Sequence, residues 1–298
     1  MKIYVDGEFY EKDEAKVSVF DHGVLYGDGI FEGIRAYNGR VFRLGEHLKR
    51  LEESAQAIFL TLPIPLRKIE EALLETVRQN GLRDAYIRLV VTRGVGDLGL
   101  DMRKCKKNAG LIIIADKIEL YPESYYEKGL DIITSSIRQR GTDQLAPNIK
   151  SLNYLANILA RAEATRAGAQ EAILLNQQGY VSECSGDNIF YVYEGRIYTP
   201  PVYAGILEGV TRSAIIDIVR EKMNGQVIEK LSTLFELYRA DEVFLTGTGA
   251  EVIAGVKIDG HVIGSGSAGP ITRKLVALFR EYARLTGTLI YEEAKASK

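Results

Sequence analysis

Ile30-Phe31-Glu32-Gly33-Ile34-Arg35-Ala36-Tyr37, followed by Asn38-Gly39 and Arg40-Val41-Phe42-Arg43-Leu44, reads as two strands closed by a tight turn. Asn-Gly suits a type I′ turn, where both central residues need a positive φ and the twist matches that of a hairpin. The chain then changes period. Glu46 to Phe59 carries Leu48, Leu51, Ala55 and Ile58 at helical spacing. Pro65 opens a second helix, with Ile69, Leu73, Leu74 and Val77 on one face and Gly81 as its stop. Upstream, Lys2 to Val5 and Glu8 to Tyr10 flank Asp6-Gly7 as another hairpin; downstream, Ala85 to Arg93 and Leu111 to Ala115 are strands. Residues 94–102 form a glycine-rich loop between them.

The second half opens on strand Ile132 to Ser135 and the polar loop Arg138 to Asn148. Ser151 to Ala167 is expected as a helix, with Leu152, Leu155, Ile158, Leu159 and Ala162 as its inward stripe. Strands at Ala172 to Leu175, Ile189 to Tyr193, Glu242 to Leu245 and Glu251 to Val256 alternate irregularly with helices at Thr211 to Lys222, Ser232 to Tyr238 and Ile271 to Leu285. Helices mixed with mostly antiparallel strands, without strict β-α-β alternation, imply an α+β fold. At 298 residues the chain has room for about two domains. The expected division is a domain over 1–118, an interdomain loop over 119–131, which contains Pro122, and a domain over 132–298.

Composition narrows the function. Apolar residues make up 46% and charged residues 26%, with 38 basic against 40 acidic side chains, so no basic excess recruits nucleic acid or an anionic membrane. The densest basic cluster, Arg103, Lys104, Lys106 and Lys107, reads as a solvated loop. Met1 to Gly7 becomes polar too early for a signal peptide, and Leu111 to Ala115 is far short of a membrane span. Cys105 and Cys184 stand alone, and His22, His47 and His261 make no HExxH, so no metal is expected. A cytoplasmic, reduced protein is the expectation.

Gly264-Ser265-Gly266-Ser267-Ala268-Gly269 matches GxGxxG, but only 29 residues follow it, too few for the strand and acid of a dinucleotide site. It reads as a loop ending at a proline-started helix. Lys150 is more promising. Just before a helix N-terminus it would feel positive potential that favours the neutral amine a Schiff base needs, and Tyr154, four residues on, would share its helix face. Gly209-Val210-Thr211-Arg212 opens a helix and Thr246-Gly247-Thr248-Gly249 is a tight turn; both suit an anion. Glu183 stands at a strand entry. Amine, phenol, carboxylate and anion turns together call for an aldehyde with a phosphate handle and a basic ring nitrogen, as in pyridoxal phosphate.

The ordered motifs Tyr26-Gly27-Asp28-Gly29-Ile30-Phe31-Glu32-Gly33-Ile34-Arg35-Ala36-Tyr37, Glu46-His47-Leu48-Lys49-Arg50-Leu51, Ala85-Tyr86-Ile87-Arg88, Lys150-Ser151-Leu152-Asn153-Tyr154, Gly179-Tyr180-Val181-Ser182-Glu183, Gly209-Val210-Thr211-Arg212 and Gly247-Thr248-Gly249-Ala250-Glu251 resemble the class IV, fold-type IV pyridoxal-phosphate enzymes. The resemblance is greatest to branched-chain amino acid aminotransferases and runs from Met1 to about Gly287. It implies a small N-terminal α/β domain and a larger C-terminal pseudo-barrel domain that carries the cofactor lysine. It implies that Lys150 forms the imine, that Tyr154 bonds the ring oxygen and that Glu183 pairs with the ring nitrogen. Arg50, Val210, Thr211, Gly247 and Thr248 would bind the phosphate, with Leu207 packed on the ring.

The same resemblance implies that Tyr26, Phe31, Gly33, Arg35, Tyr86, Arg88 and Gly249 contact the substrate. Gly33 would leave room beside Phe31, and Arg88 would meet the distal carboxylate of glutamate. Gly249 stands where many branched-chain enzymes carry alanine. The implied reaction is ping-pong transfer of the amino group of leucine, isoleucine or valine to 2-oxoglutarate. The implied assembly is a homodimer or higher homo-oligomer, some members being hexamers, with the loop over 94–102 supplied by the neighbouring subunit. Alternatives from the same fold are a D-amino acid or (R)-amine transaminase and aminodeoxychorismate lyase. A non-catalytic pyridoxal-phosphate-binding protein and, from the GxGxxG run, a hydride-transfer enzyme are alternatives of another kind.

Overall fold

The structure is a computed structural model that describes residues 1–105, 108–117 and 120–291. Lys106 and Lys107 of the basic cluster, and the expected junction between residues 118 and 119, lie outside the described residues. The chain forms two units, one of Met1–Ile118 with Lys150–Asn153 and Ala283–Lys298, the other of Glu119–Ile149 with Tyr154–Tyr282. Among the described residues no helix is long and apolar enough to cross a membrane.

The first unit is built on an antiparallel sheet of seven strands, in the order Thr288–Leu289, Arg40–Val41, Gly29–Tyr37, Ala85–Thr92, Gly110–Asp116, Lys2–Val5 and Glu8–Glu11. Its turn at Asn38-Gly39 has φ of 48° and 79°, as the Asn-Gly pair requires. Side chains alternate between the two faces. Ile34, Ile87, Leu89 and Ile113, all 0% exposed, pack with Leu48, Leu51, Leu73 and Val77 of helices Leu44–Ala57 and Leu66–Gln79. Each such side chain contributes roughly 1.5–3 kcal/mol by leaving water. Phe31, Gly33 and Arg35 therefore point to the face away from these helices. The register, Gly33 opposite Arg88 and Arg35 opposite Tyr86, puts those two partners on the same face.

The second unit holds a mixed sheet, in the order Val227–Glu229, Arg196–Thr199, Asn188–Tyr193, Glu242–Gly247, Glu251–Ile258, Leu130–Thr134, Glu171–Leu175 and Val181–Cys184, with His261–Val262 on a side branch. Val181–Cys184 is five places from Asn188–Tyr193 in that order, yet only residues 185–187 link them. Five strand spacings in a flat sheet are about 24 Å, whereas four residue steps reach at most about 14 Å. The sheet has to curl, which gives the pseudo-barrel and with it the α+β class.

Three expectations change. The helix expected from Ser151 begins at Leu155 and ends at Arg166, because Phe31 N donates to Lys150 O (2.9 Å) and Leu152 N to Gly29 O (2.9 Å), which draws the preceding residues into extended pairing. Its buried face is Asn157, Ala160 and Ala164, whereas Leu155, Ile158 and Leu159 are 67%, 60% and 48% exposed. Small alanines let the helix lie close to the strand Glu171–Leu175, through Ala172 and Leu174, and that contact overrides the larger apolar stripe. Third, within the stretch expected as an interdomain loop, Glu123–Lys128 is a helix started by Pro122, and Leu130 already begins a strand of the second unit.

The GxGxxG run is a loop, and the N-terminus of the helix Pro270–Leu285 is capped from within. Ile271 N and Thr272 N donate to the Glu242 carboxylate at 3.0 and 2.7 Å, and Thr272 Oγ1 donates at 2.6 Å. A carboxylate holds the place that a dinucleotide phosphate would need.

Candidate active site

In the first unit Lys150 sits on an extended segment fixed by backbone pairing. Its own N–H donates to Ser54 Oγ at 3.2 Å, and Ser151 forms a bridge with Ile30. The helix starts five residues later, so neither the helix potential at Lys150 nor a shared helix face with Tyr154 applies; Tyr154 is the residue that precedes the first helical turn. Phe31 lies next to Lys150 instead. The Lys150 Nζ is 4.7 Å from the Phe31 ring centre, and the Arg88 guanidinium carbon is 4.6 Å from the same ring. Such contacts attract a cation to the ring's negative face.

Arg88 also donates from Nη2 to Tyr86 Oη at 2.9 Å. The space expected beside Gly33 is taken: a Cβ there would lie 2.4 Å from the Tyr86 hydroxyl. Gly33 thus makes room for the Tyr86 hydroxyl, the partner of its cross-strand neighbour Arg88. Arg35 lies over Tyr37, 5.1 Å from its ring centre. Tyr26 accepts a hydrogen bond from Gly99 N at 2.8 Å, which ties it to the loop over residues 94–102.

On the helix face of the same strand is a group that the motifs contained but to which no role was assigned. Glu32 is fully buried; it accepts from Arg50 Nε and Nη2, both at 2.8 Å, and from His47 Nδ1 at 2.8 Å. Burial pushes the Glu32 carboxyl up, but Arg50 and His47 outweigh it and hold it at about 2. Burial lowers His47, against the pull of Glu32, so the imidazole is neutral and donates through Nδ1–H. An acid between Phe31 and Gly33 in a largely apolar strand, with histidine and arginine three apart on the following helix, is the available signal.

In the second unit three donors orient the Glu183 carboxylate. Gln139 Nε2 donates to Oε1 at 2.7 Å, and Leu207 N and Asn188 Nδ2 donate to Oε2 at 2.9 and 3.2 Å. Asn188 also donates to Leu207 O at 2.9 Å, so the loop carrying Leu207 is fixed to the strand below it. Gln139 and Asn188 were not singled out from sequence. The helix Val210–Lys222 begins after Gly209, and no side chain caps its first turn. A Cβ at Gly209 would lie 2.1 Å from Asn188 Oδ1, and one at Gly247 would lie 1.9 Å from Asp187 Oδ1. Only glycine lets the backbone pass so close. Thr211 is buried in the first turn, while Gly247, Thr248 and Gly249 are half-buried in theirs. A Cβ at Gly249 would meet Leu120 Cδ2 at 3.0 Å.

The profile of the family described as "Amino-transferase class IV" matches residues 29–258. The chain belongs to the class IV aminotransferases. It is thus a transferase enzyme, and pyridoxal 5′-phosphate is its cofactor. A protein of Methanocaldococcus jannaschii is 50% identical over 293 residues, 98% of this chain and 100% of that one. The branched-chain-amino-acid aminotransferase of Escherichia coli K12 is 35% identical over 93% of this chain and 91% of its own. Among solved structures, the branched-chain aminotransferase of Thermoproteus uzoniensis with norvaline has a TM-score of 0.90 and 38% identity, covering 98% and 99% of the two chains.

The residues present fit that cofactor. The uncapped helix start behind Gly209 suits a phosphate, and an oriented carboxylate at Glu183 suits a protonated ring nitrogen.

The Glu32 and His47 environments predict acid sensitivity. The unfolded chain takes up protons more readily than the folded one at both groups, so stability is lost as the pH is lowered. The His47 contribution begins to fade below its ordinary 6.5, and that of Glu32 fades from 4.5 down to about 2. Urea midpoints across this range should show both phases, and His47→Asn should flatten only the upper one. An unchanged upper phase in that variant would mean that His47 is not buried neutral.

Proposed function

We propose that this aminotransferase moves the amino group of branched-chain L-amino acids to 2-oxoglutarate, with Lys150 as the catalytic amine. The observation that carries this is one sheet face in the first unit. It presents the apolar Phe31 ring beside Lys150, with Arg88 against the same ring. An apolar wall suits a leucine-like side chain, and an arginine at its edge suits the carboxylate of glutamate.

When bound, pyridoxal 5′-phosphate supplies an electron sink for the substrate's α-carbon. Lys150 would hold the cofactor through its amine and, as general base and then acid, would carry the proton taken from the substrate's α-carbon to the cofactor carbon bonded to the transferred nitrogen. Its approach is set by the backbone pairing at Phe31 and Gly29. Glu183, fixed by Gln139, Asn188 and Leu207, holds a proton on the ring nitrogen. Tyr154 would bond the ring oxygen and Leu207 would pack on the ring. Arg50, Val210, Thr211, Gly247 and Thr248 bind the phosphate. Tyr86, Arg88 and the backbone at Gly249 receive the substrate, with Phe31, Gly33 and Arg35 shaping the wall. The 2-oxo acid would receive the amino group by the reverse proton transfer at the same lysine.

The enzyme acts on small molecules and is cytoplasmic. It is a homodimer or larger homo-oligomer, and two exposed apolar surfaces support this. Leu155, Ile158 and Leu159 line one side of the helix Leu155–Arg166, while Phe20, Val24, Leu98, Leu100 and Met102 are exposed in the first unit. Ordinary surfaces expose such residues singly, and clusters mark partner contacts. The loop over 94–102 serves the neighbouring subunit, and Tyr26, bonded to Gly99, goes with it. Sedimentation of Leu155→Asp/Ile158→Asp should show a monomer; an unchanged oligomer would remove this helix from the interface.

Turnover with L-leucine, L-isoleucine and L-valine, each paired with 2-oxoglutarate, tests the substrate assignment. Activity confined to D-amino acids or a chiral (R)-amine would refute it. In single turnover, Arg88→Ala should lose more rate with glutamate than with leucine, since only glutamate brings a second carboxylate. A hydrogen bond to charge is worth roughly 1.5–3 kcal/mol, so the extra loss should be about tenfold to a hundredfold. Equal losses would confine Arg88 to the shared carboxylate or to holding Tyr86.

A further inference from the structure

We propose that Glu32 and His47 are positioning residues for Arg50, fixing the plane of its guanidinium and so setting how tightly the chain holds a phosphate monoester. This rests on the assignment of Arg50 to the cofactor phosphate.

Glu32 stands on the strand Gly29–Tyr37, on the face that packs under the helix Leu44–Ala57. His47 and Arg50 are three apart on that helix and so lie on one side of it. Arg50 places Nε on one carboxylate oxygen and Nη2 on the other, both at 2.8 Å. Two parallel bonds between planar groups fix both the position and the tilt of the guanidinium, which a single bond to a flexible side chain does not. His47 adds a third donor, Nδ1 to Oε2 at 2.8 Å. The carboxylate can only accept, so the imidazole proton must sit on Nδ1, and the carboxylate is held from a second direction.

Stability is a poor reason for this arrangement. Three polar side chains are 0%, 1% and 9% exposed at Glu32, His47 and Arg50, inside a unit whose other contacts there are apolar. Burying an ion pair costs desolvation, and well-packed apolar side chains of similar volume are often as stable or more so. What the pair supplies and an apolar replacement would not is a guanidinium set in one orientation on a rigid strand and helix. An arginine held in this way meets an anion without first losing its own rotational freedom.

The test uses apoenzyme, prepared by removing the cofactor from the holoenzyme, and reads binding rather than turnover. Calorimetry with inorganic phosphate and titration with pyridoxal 5′-phosphate are compared with titration by pyridoxal, which lacks the phosphate. Glu32→Gln and His47→Leu should weaken binding of both phosphate ligands by about tenfold or more, the scale on which supporting groups act on a ligand-binding side chain. Pyridoxal binding should not change. His47→Asn, whose amide can donate from nearly the same place as Nδ1–H, should restore phosphate affinity. If Arg50→Gln loses phosphate binding while Glu32→Gln and His47→Leu keep it, the positioning role is wrong and the arginine assignment stands. If Arg50→Gln itself keeps it, the arginine assignment fails and the positioning role falls with it. Should Glu32→Gln not fold, the His47 pair decides: loss in Leu with recovery in Asn supports the role, and wild-type affinity in Leu overturns it.

Discussion

Backbone pairing between Lys150–Leu152 and Gly29–Phe31 is the constraint on which the site depends. A lysine has four rotatable bonds and no preferred direction in water. Here its Cα is held by an isolated β-bridge to a strand whose other bonds run into a seven-stranded sheet. The segment leaves the second unit to make this pairing, and the helix that follows belongs to the second unit again. The position of Lys150 is therefore set by the first unit, beside Phe31 and Arg88, and not by the helix that follows it in sequence.

The strand Gly29–Tyr37 divides its work by parity. Phe31, Gly33 and Arg35 face away from the helices and form the wall of the proposed pocket. Ile30, Glu32 and Ile34 face the helices, where the two isoleucines fill the core and Glu32 grips Arg50. A slip of one residue would exchange the two sets, burying Arg35 and exposing Ile34. Nothing in that arrangement tolerates a slip: Glu32 would lose both Arg50 and His47, and the apolar core would face water. The Asn38-Gly39 turn pins the register at one end, and the Lys150 pairing pins it at the other.

Local signals in the sequence were reliable where one short-range rule governed. The Asn-Gly hairpin, the two helices after it and the glycines at 209 and 247 all follow from φ preferences, periodicity or close approach. Periodicity starts the Lys150 helix too early because it cannot see a distant strand that competes for the same backbone groups. Its leucine stripe was assigned inward for the related reason that alanines, not leucines, made the close contact with Glu171–Leu175. The Tyr86 hydroxyl beside Gly33 is invisible to local sequence, since it comes from more than fifty residues away. Gln139 and Asn188 carry no motif of their own; they matter only through the carboxylate they face. The pairing of motifs with chemistry came from the ordered set as a whole, whose members are scattered over both units.

The most direct test of the central claim is to reduce the holoenzyme with borohydride, digest it and locate the pyridoxyl group by mass spectrometry. If backbone pairing presents Lys150 to the cofactor, the label falls on the peptide containing Lys150 and is absent from Lys150→Ala. A label on any other lysine, or undiminished labelling of Lys150→Ala, would contradict it.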